Sequence, residues 1–194
     1  MDIIELDHVA ALESVRLVGR ANPGDWDRPT PCDAWTLLRL VEHMGAQHLG
    51  FAAAARGEGA DAAAWAPRGA GNDPAAWYRG TARAVLDAFA RPGAAERRFA
   101  LPEISAGTTF PGVAAMGFHF IDCVVHSWDV AASLGLPLAL PDEVVAAALP
   151  LALRVPGGAA RERPDAAFRP ALPVADGGPL ARVLAALGRS PDWR

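Results

Sequence analysis

The residues with the most chemistry to offer stand in one stretch, MGFHFIDCVVHSWDVA, residues 116–131. Apart from His119, Asp122, His126, Ser127 and Asp129, its side chains are apolar or small. At about 100° per residue on a helix, His119, Asp122, His126 and Asp129 fall within an arc of roughly 80°. A helix that is apolar nearly all round belongs in a protein interior. A lone carboxylate there is costly unless it is paired or binds a metal. Asp122 and His126 stand at i and i+4, neighbours on consecutive turns, and that spacing suits two ligands of one divalent ion. The competing reading is a core polar cluster, with His126 donating to a backbone carbonyl and Asp122 paired with Arg39 or Arg83.

A third ligand has to come from another helix. His43 and His48 both qualify: His48 lies in the middle of an apolar face formed by Leu37, Leu40 and Val41, His43 at its edge. The residues alone leave that choice open, and His8 is a weaker option. Three protein ligands leave positions free for water or substrate, as catalytic sites do and structural ones do not. Two histidines and a carboxylate suit zinc first, and also iron(II), nickel or manganese. Asp129, one turn beyond His126, is a candidate for orienting a ligand imidazole or holding an arginine, against an ordinary helix-end ion pair. His119 is a candidate general base or fourth ligand, against a satisfied core histidine. Arg79 and Arg83 are candidates for receiving the carboxylate of a substrate or cofactor, against solvated surface arginines. Cys32 precedes a helix whose dipole would favour its thiolate, while Cys123 is expected to face away from the polar stripe, into the core.

The elements that position these groups follow from punctuation and periodicity. Helices are expected over residues 2–20, 37–56, 73–91, 112–134, 141–153 and 180–187. On the first, Ile3, Ile4, Val9, Leu12 and Leu17 suggest the apolar face. Thr36 is the expected N-cap of the second, Asp73-Pro74 opens the third, and Gly135 with Pro137 closes the fourth. Residues 57–72 read as a mobile Gly/Ala-rich loop, 97–110 as a short hairpin around Ala106-Gly107, and 156–179 as a segment wrapping the surface. Four long helices point to an all-α, antiparallel four-helix bundle with extra C-terminal helices and an extended C-terminal segment.

At 194 residues the chain is expected to be one domain, 1–194, with the bundle in 1–135 and a wrapping tail in 136–194. Its net charge of −4 gives no electrostatic footprint for nucleic acid. All 18 basic residues are arginine, which beside so much Ala, Gly and Pro reads as coding bias. The acidic, amphipathic N-terminus lacks the form of a signal peptide, and no apolar run is long enough to span a bilayer. Two cysteines far apart exclude a disulfide framework and suit a reducing cytoplasm. The expected partner is a small-molecule substrate, with no nucleic acid and no membrane, for a monomer or homodimer.

Three motifs carry a family resemblance. Thr30-Pro31-Cys32-Asp33-Ala34-Trp35-Thr36, followed by Leu40-Val41-Glu42-His43, resembles the T-P-C-x-x-W-(S/T)…L-x-x-H signature of actinobacterial DinB/YfiT-like proteins, and more narrowly their mycothiol-dependent maleylpyruvate isomerase-like branch. Asp122-x-x-x-His126-Ser127-Trp128-Asp129-Val130-Ala131 and then Gly135 resembles that branch's acid-x-x-x-H-x-W-D-(L/V)-A…G element. Leu187-Gly188-Arg189-Ser190-Pro191-Asp192-Trp193 resembles the L-G-R-(D/S)-P-x-W ending of a metal-binding subfamily. The resemblance implies a DinB-like bundle whose metal ligands are His43, Asp122 and His126, which selects His43 over His48. It further implies a low-molecular-weight thiol, such as mycothiol, activated for transfer or isomerisation of a small molecule. Asp122 is a departure, since relatives often have His there and the mycothiol-dependent isomerase has Glu. With only residues 136–194 beyond the bundle, the isomerase's separate C-terminal domain is expected to have no counterpart here. A metallohydrolase or tailoring enzyme using metal-bound water, and a non-catalytic metal-binding regulatory module, are the competing functions.

Overall fold

In a computed structural model of the chain, residues 1–32, 35–163, 166–173 and 177–193 are described. Asp33 and Ala34 of the T-P-C motif, and parts of the segment 156–179, lie outside them. The architecture is mainly helical: α1 (Ile3–Val18), α2 (Leu37–Arg56), α3 (Pro74–Phe89), α4 (Gly112–Leu134), α5 (Asp142–Ala152) and α6 (Pro179–Ala186). A small antiparallel hairpin, β1 (Arg98–Ala100) with β2 (Thr109–Pro111), pairs Phe99 with Phe110.

Local chemistry sets the helix ends. Asp2 and Glu5 form a reciprocal capping box on α1, which satisfies backbone donors that no helical carbonyl can reach. Thr36 accepts from the Arg39 amide at the start of α2, and Asp73 from the Ala76 amide ahead of Pro74. Gly135 closes α4 at φ 66, a left-handed conformation that disfavours a side chain.

Helices α1 to α4 form a ring in which α1 lies beside α4 and α3, and α2 beside α3 and α4. Their directions follow from cross-contacts. Asp7 meets His119 and Arg16 meets the Pro137 carbonyl, so α1 and α4 run the same way. Gly45 faces Trp77 and His48 faces Thr81, so α2 and α3 also run together. Ser14 bonds Tyr78, and both Phe51 and His43 meet α4 in reverse order, at His119 and His126. The bundle is therefore up-down-down-up, antiparallel across α1/α3 and α2/α4 only. Helices α5 and α6 share one apolar cluster with α1 and α4, through Val144, Ala148, Val183, Leu184 and Leu187.

Two expectations need correction. Leu12 is 48% exposed, because the buried face of α1 is made largely of small and polar side chains: Asp7, Ala10, Ala11 and Ser14. Residues 57–72 are pinned, not loose. Trp65 is buried edge-to-face on Phe51 and donates its indole N–H to the Gly59 carbonyl at 2.9 Å. Glu42 accepts from the Ala70 amide at 3.0 Å.

Candidate metal centre

His43 projects from the first half of α2, and Asp122 and His126 from consecutive turns of α4. One ligand atom from each lies within 4.8 Å of the other two. The His126 Nε2 stands 3.3 Å from Asp122 Oδ1. The rings of His43 and His126 meet nearly perpendicular, with centroids 5.4 Å apart. Trp35 covers the other side of His43 at 4.9 Å, and the Arg39 guanidinium lies over Trp35. The Asp122 side chain keeps 20% of its surface exposed, so the site has one wet edge.

His126 is fixed from behind. Its Nδ1–H donates to Asp129 Oδ2 at 2.8 Å, leaving Nε2 to face Asp122 and His43. This is the carboxylate–imidazole arrangement by which proteins set the tautomer of a metal-binding histidine. Asp129 is itself fully buried and held twice more. The Arg189 Nε–H donates to its Oδ1 at 3.0 Å, and the Cys32 thiol to its Oδ2 at 3.0 Å. An Arg189 Nη2–H also reaches Cys32 Sγ at 3.3 Å. The loop carrying Cys32 is shaped by Thr30, which accepts from the Cys32 amide and donates to the Trp35 carbonyl. The three motifs of the sequence thus end in one cluster behind His126.

The charges suit a cation. Burial, reinforced by the neighbouring His126, lowers His43 to about 4, so its imidazole is neutral with a lone pair to give. Burial works against ionisation of Asp122, yet the facing histidines hold its carboxyl far below the usual range. Burial also opposes protonation of His126, but Asp122 and Asp129 outweigh it and raise this histidine well above its ordinary value. Burial lowers Arg189 less than Asp129 raises it, so the guanidinium stays charged.

Other expected site residues lie elsewhere. His119 is fully buried and does not join the ion-facing group; its Nδ1 bonds Asp7 Oδ1 at 2.6 Å. Seven residues separate it from His126, about 10 Å along the axis, and at that height the neighbouring polar partner comes from α1. Arg79 and Arg83 are exposed on α3, which lies diagonally opposite α4 in the ring, and Arg83 pairs loosely with Asp87 at 3.7 Å. They do not border the site. Cys123 does not face away from the stripe; its Sγ lies 3.8 Å from the His119 ring nitrogens and 3.9 Å from His48 Nε2. Sequence reasoning missed Arg189 as a site residue, although it lies in the C-terminal motif, and gave no role to Asp7.

Comparison with known proteins bears on the fold and the family. The mycothiol-dependent maleylpyruvate isomerase crystal structure superposes with a TM-score of 0.65 over 98% of this chain and 90% of that one, at 12% identity. A histidine-to-alanine variant of the same enzyme gives 0.66 over the same shares. At that identity the likeness is one of fold, and because it spans 90% of the isomerase chain the expectation that the isomerase's C-terminal part has no counterpart here is corrected. An uncharacterized Mycobacterium tuberculosis protein, found in two strains, is 32% identical over 157 residues, 79% of this chain and 75% of its own length. The profile of the mycothiol maleylpyruvate isomerase N-terminal domain matches residues 8–131, well over half of the sequence. The chain belongs to the mycothiol maleylpyruvate isomerase N-terminal domain family.

Proposed function

We propose that this protein is a metal-dependent enzyme that activates a low-molecular-weight thiol of the mycothiol type for isomerisation or transfer of a small molecule. The carrying observation is the convergence of His43, Asp122 and His126 with Asp129 locking the tautomer of His126. A neutral imidazole, an ionised carboxylate and a second imidazole aimed by its Nδ1 bond are the donors that zinc, iron(II), nickel or manganese take. The donor set therefore fits a divalent ion, with zinc the first choice. An ion held there would supply Lewis acidity and lower the pKa of a thiol or water at its open positions.

The chain's own residues do the rest. His43 and Asp122 would supply ligand atoms from the neighbouring helices α2 and α4, so a bound ion would tie the two together. Asp129 keeps the Nδ1 proton of His126 in place, and Arg189 and Cys32 keep Asp129 in place. The exposed edge of Asp122 is the side from which a thiol and substrate would enter. The family name and the isomerase superposition support mycothiol as co-substrate and maleylpyruvate as the first substrate to try. Residues 1–194 would act as one domain, the ligands all lying in 1–135. Among the described residues no helix is long and apolar enough to cross a membrane. Both cysteines are free, which supports a reducing, cytoplasmic setting.

Calorimetry of the zinc-loaded protein with mycothiol tests this reading. Saturable binding that disappears in Asp122→Ala, together with mycothiol-dependent turnover of maleylpyruvate or a related cis-enoyl acid, is the expected result. Absence of thiol binding to the loaded protein would overturn the thiol reading, and hydrolysis of ester or amide probes without thiol would favour metal-bound water as the nucleophile.

A further inference from the structure

We infer that Arg39 sets the substrate specificity of the centre: its unpaired guanidinium, stacked over Trp35 one helical turn before His43, receives the carboxylate of a small acidic substrate. The inference rests on the metal-dependent reading above and gives it a substrate class. Arg39 and His43 stand at i and i+4 on α2, neighbours on consecutive turns. Both meet the same indole. The Arg39 Cζ lies 5.4 Å from the centroid of the Trp35 ring, and the His43 ring lies 4.9 Å from it. A guanidinium stacked on an aromatic spends its face in that contact and keeps its N–H edge free. Among the described residues that edge has no taker, for the Arg39 side chain makes no hydrogen bond and no ion pair. Acids close by are engaged otherwise. Glu42, three residues on, accepts from the Ala70 amide at 3.0 Å, and Asp122 faces His126 at 3.3 Å. A charged fork ordered beside a metal-facing histidine, with no counterion of its own, is what bidentate capture of a carboxylate requires.

The far end of the same ridge repels such a group. His43 meets His126 and Phe51 meets His119, so Gln47, midway between them on α2, stands level with Asp122. Its amide N–H donates to Glu103 Oε2 at 2.7 Å. Glu103 is exposed on the turn between β1 and β2 and has no cation partner among the described residues. Arg39, His43 and Gln47 therefore mark one line along α2 at one-turn intervals, basic at one end and acidic at the other, with the ion-facing groups between. A small acid enters this field in one direction. Its carboxylate goes to Arg39, its remainder lies toward His43 and Asp122, and uncharged hydroxyl groups suit the acceptors of Gln47 and Glu103. The other arginines named above do not compete: Arg79 and Arg83 are exposed on α3 away from the site, and Arg189 is spent on Asp129. What separates Arg39 from a solvated surface arginine is the indole it shares with His43.

Equilibrium binding of maleate, a small dicarboxylate, tests the assignment without turnover. Calorimetry on the zinc-loaded full chain compares wild type, Arg39→Gln, Arg39→Lys and Arg83→Gln, with dimethyl maleate as the uncharged probe. Arg39→Gln should weaken maleate binding at least about tenfold, the loss expected when a charge-assisted bidentate contact is removed. Arg39→Lys should fall between the two, since an ammonium keeps the charge but not the fork. Arg83→Gln should bind as wild type does, and the ester should bind wild type and Arg39→Gln alike. Arg39 is exposed, so these substitutions leave the core untouched; zinc is counted in each variant, and were Arg39→Gln to load less, Arg39→Lys and the ester decide. Maleate held by the ion alone would show one affinity in all four proteins and would overturn the assignment. So would a loss in Arg83→Gln equal to that in Arg39→Gln, or no maleate binding to wild type. Arg39-dependent maleate binding by a protein that ignores mycothiol would uphold Arg39 and remove the thiol reading. Mycothiol binding beside a maleate affinity indifferent to Arg39 would do the reverse.

Discussion

Asp129 accepts from His126, Cys32 and Arg189 at once, so it has little capacity left for an ion and would act on one held by His126 only through that imidazole. Asp129→Asn keeps the shape but weakens the charge-assisted bond to Nδ1. Removing such a partner typically lowers metal affinity about 10–100-fold, and chelator competition would measure it; an unchanged affinity would show that His126 needs no support. Proton release gives a second check. In the metal-free protein His126 is held protonated by Asp122 and Asp129 against the cost of burial, while His43, at about 4, is neutral. A raised folded value means that the proton-dependent stabilisation is present below the ordinary histidine range and is lost as pH rises through the folded value. Metal binding near neutrality should therefore expel about one proton, with affinity rising as pH rises. Calorimetry in two buffers of different ionisation heat reads that number, and zero proton release would contradict the pairing. At this scale the juxtaposition of Asp122 and His126 was legible, since side-chain spacing on one helix is a local matter. Arg189 and Asp7 were not, because a partner sixty or more residues away is chosen by tertiary packing.

Close approach of α2 to its surroundings depends on what is missing from it. A Cβ at Gly50 would lie 2.3 Å from the Trp65 ring, and Trp65 is held by Phe51 and by its bond to the Gly59 carbonyl. Alanine gains about 1 kcal/mol of helix propensity over glycine, while overpacking a fixed core costs about 1–3 kcal/mol. Gly50→Ala should therefore destabilise by up to about 2 kcal/mol in urea denaturation; a stabilised variant would show that residues 57–72 yield easily. Helix limits were readable wherever residue type and position agreed. Thr36 caps α2, Asp73-Pro74 opens α3 and Gly135 ends α4 as their chemistry requires. Helix directions were not readable, because the composition of residues 57–72 hides the anchoring of Trp65 that returns the chain to start α3 parallel to α2. The face of α1 was misjudged for a related reason: Leu12 is apolar yet points outward, while Asp7 and Ser14 point in because α4 and α3 supply partners.

Across the molecule, two segments far apart in sequence are drawn to the same helix. The loop before α2 sends Cys32, and the turn after α6 sends Arg189, to Asp129 on α4. Arg189 is 5% exposed and Asp129 fully buried, so removing one partner strands a buried charge, at a cost of about 3–5 kcal/mol. Arg189→Met should lower the thermal midpoint clearly and also weaken metal binding, because Asp129 loses its anchor; thermal melts with and without zinc report both. A variant with unchanged stability would mean that the C-terminal motif only rests on the bundle. The family model matches residues 8–131, whereas Arg189 lies beyond them, so the candidate ion site and its support come from two parts of the chain. Anomalous diffraction from crystals of the zinc-loaded protein, collected on both sides of the zinc edge, addresses the central claim directly. The account predicts a peak about 2.0–2.2 Å from one atom each of His43, Asp122 and His126. A fully loaded crystal with no anomalous density between those three side chains would contradict it.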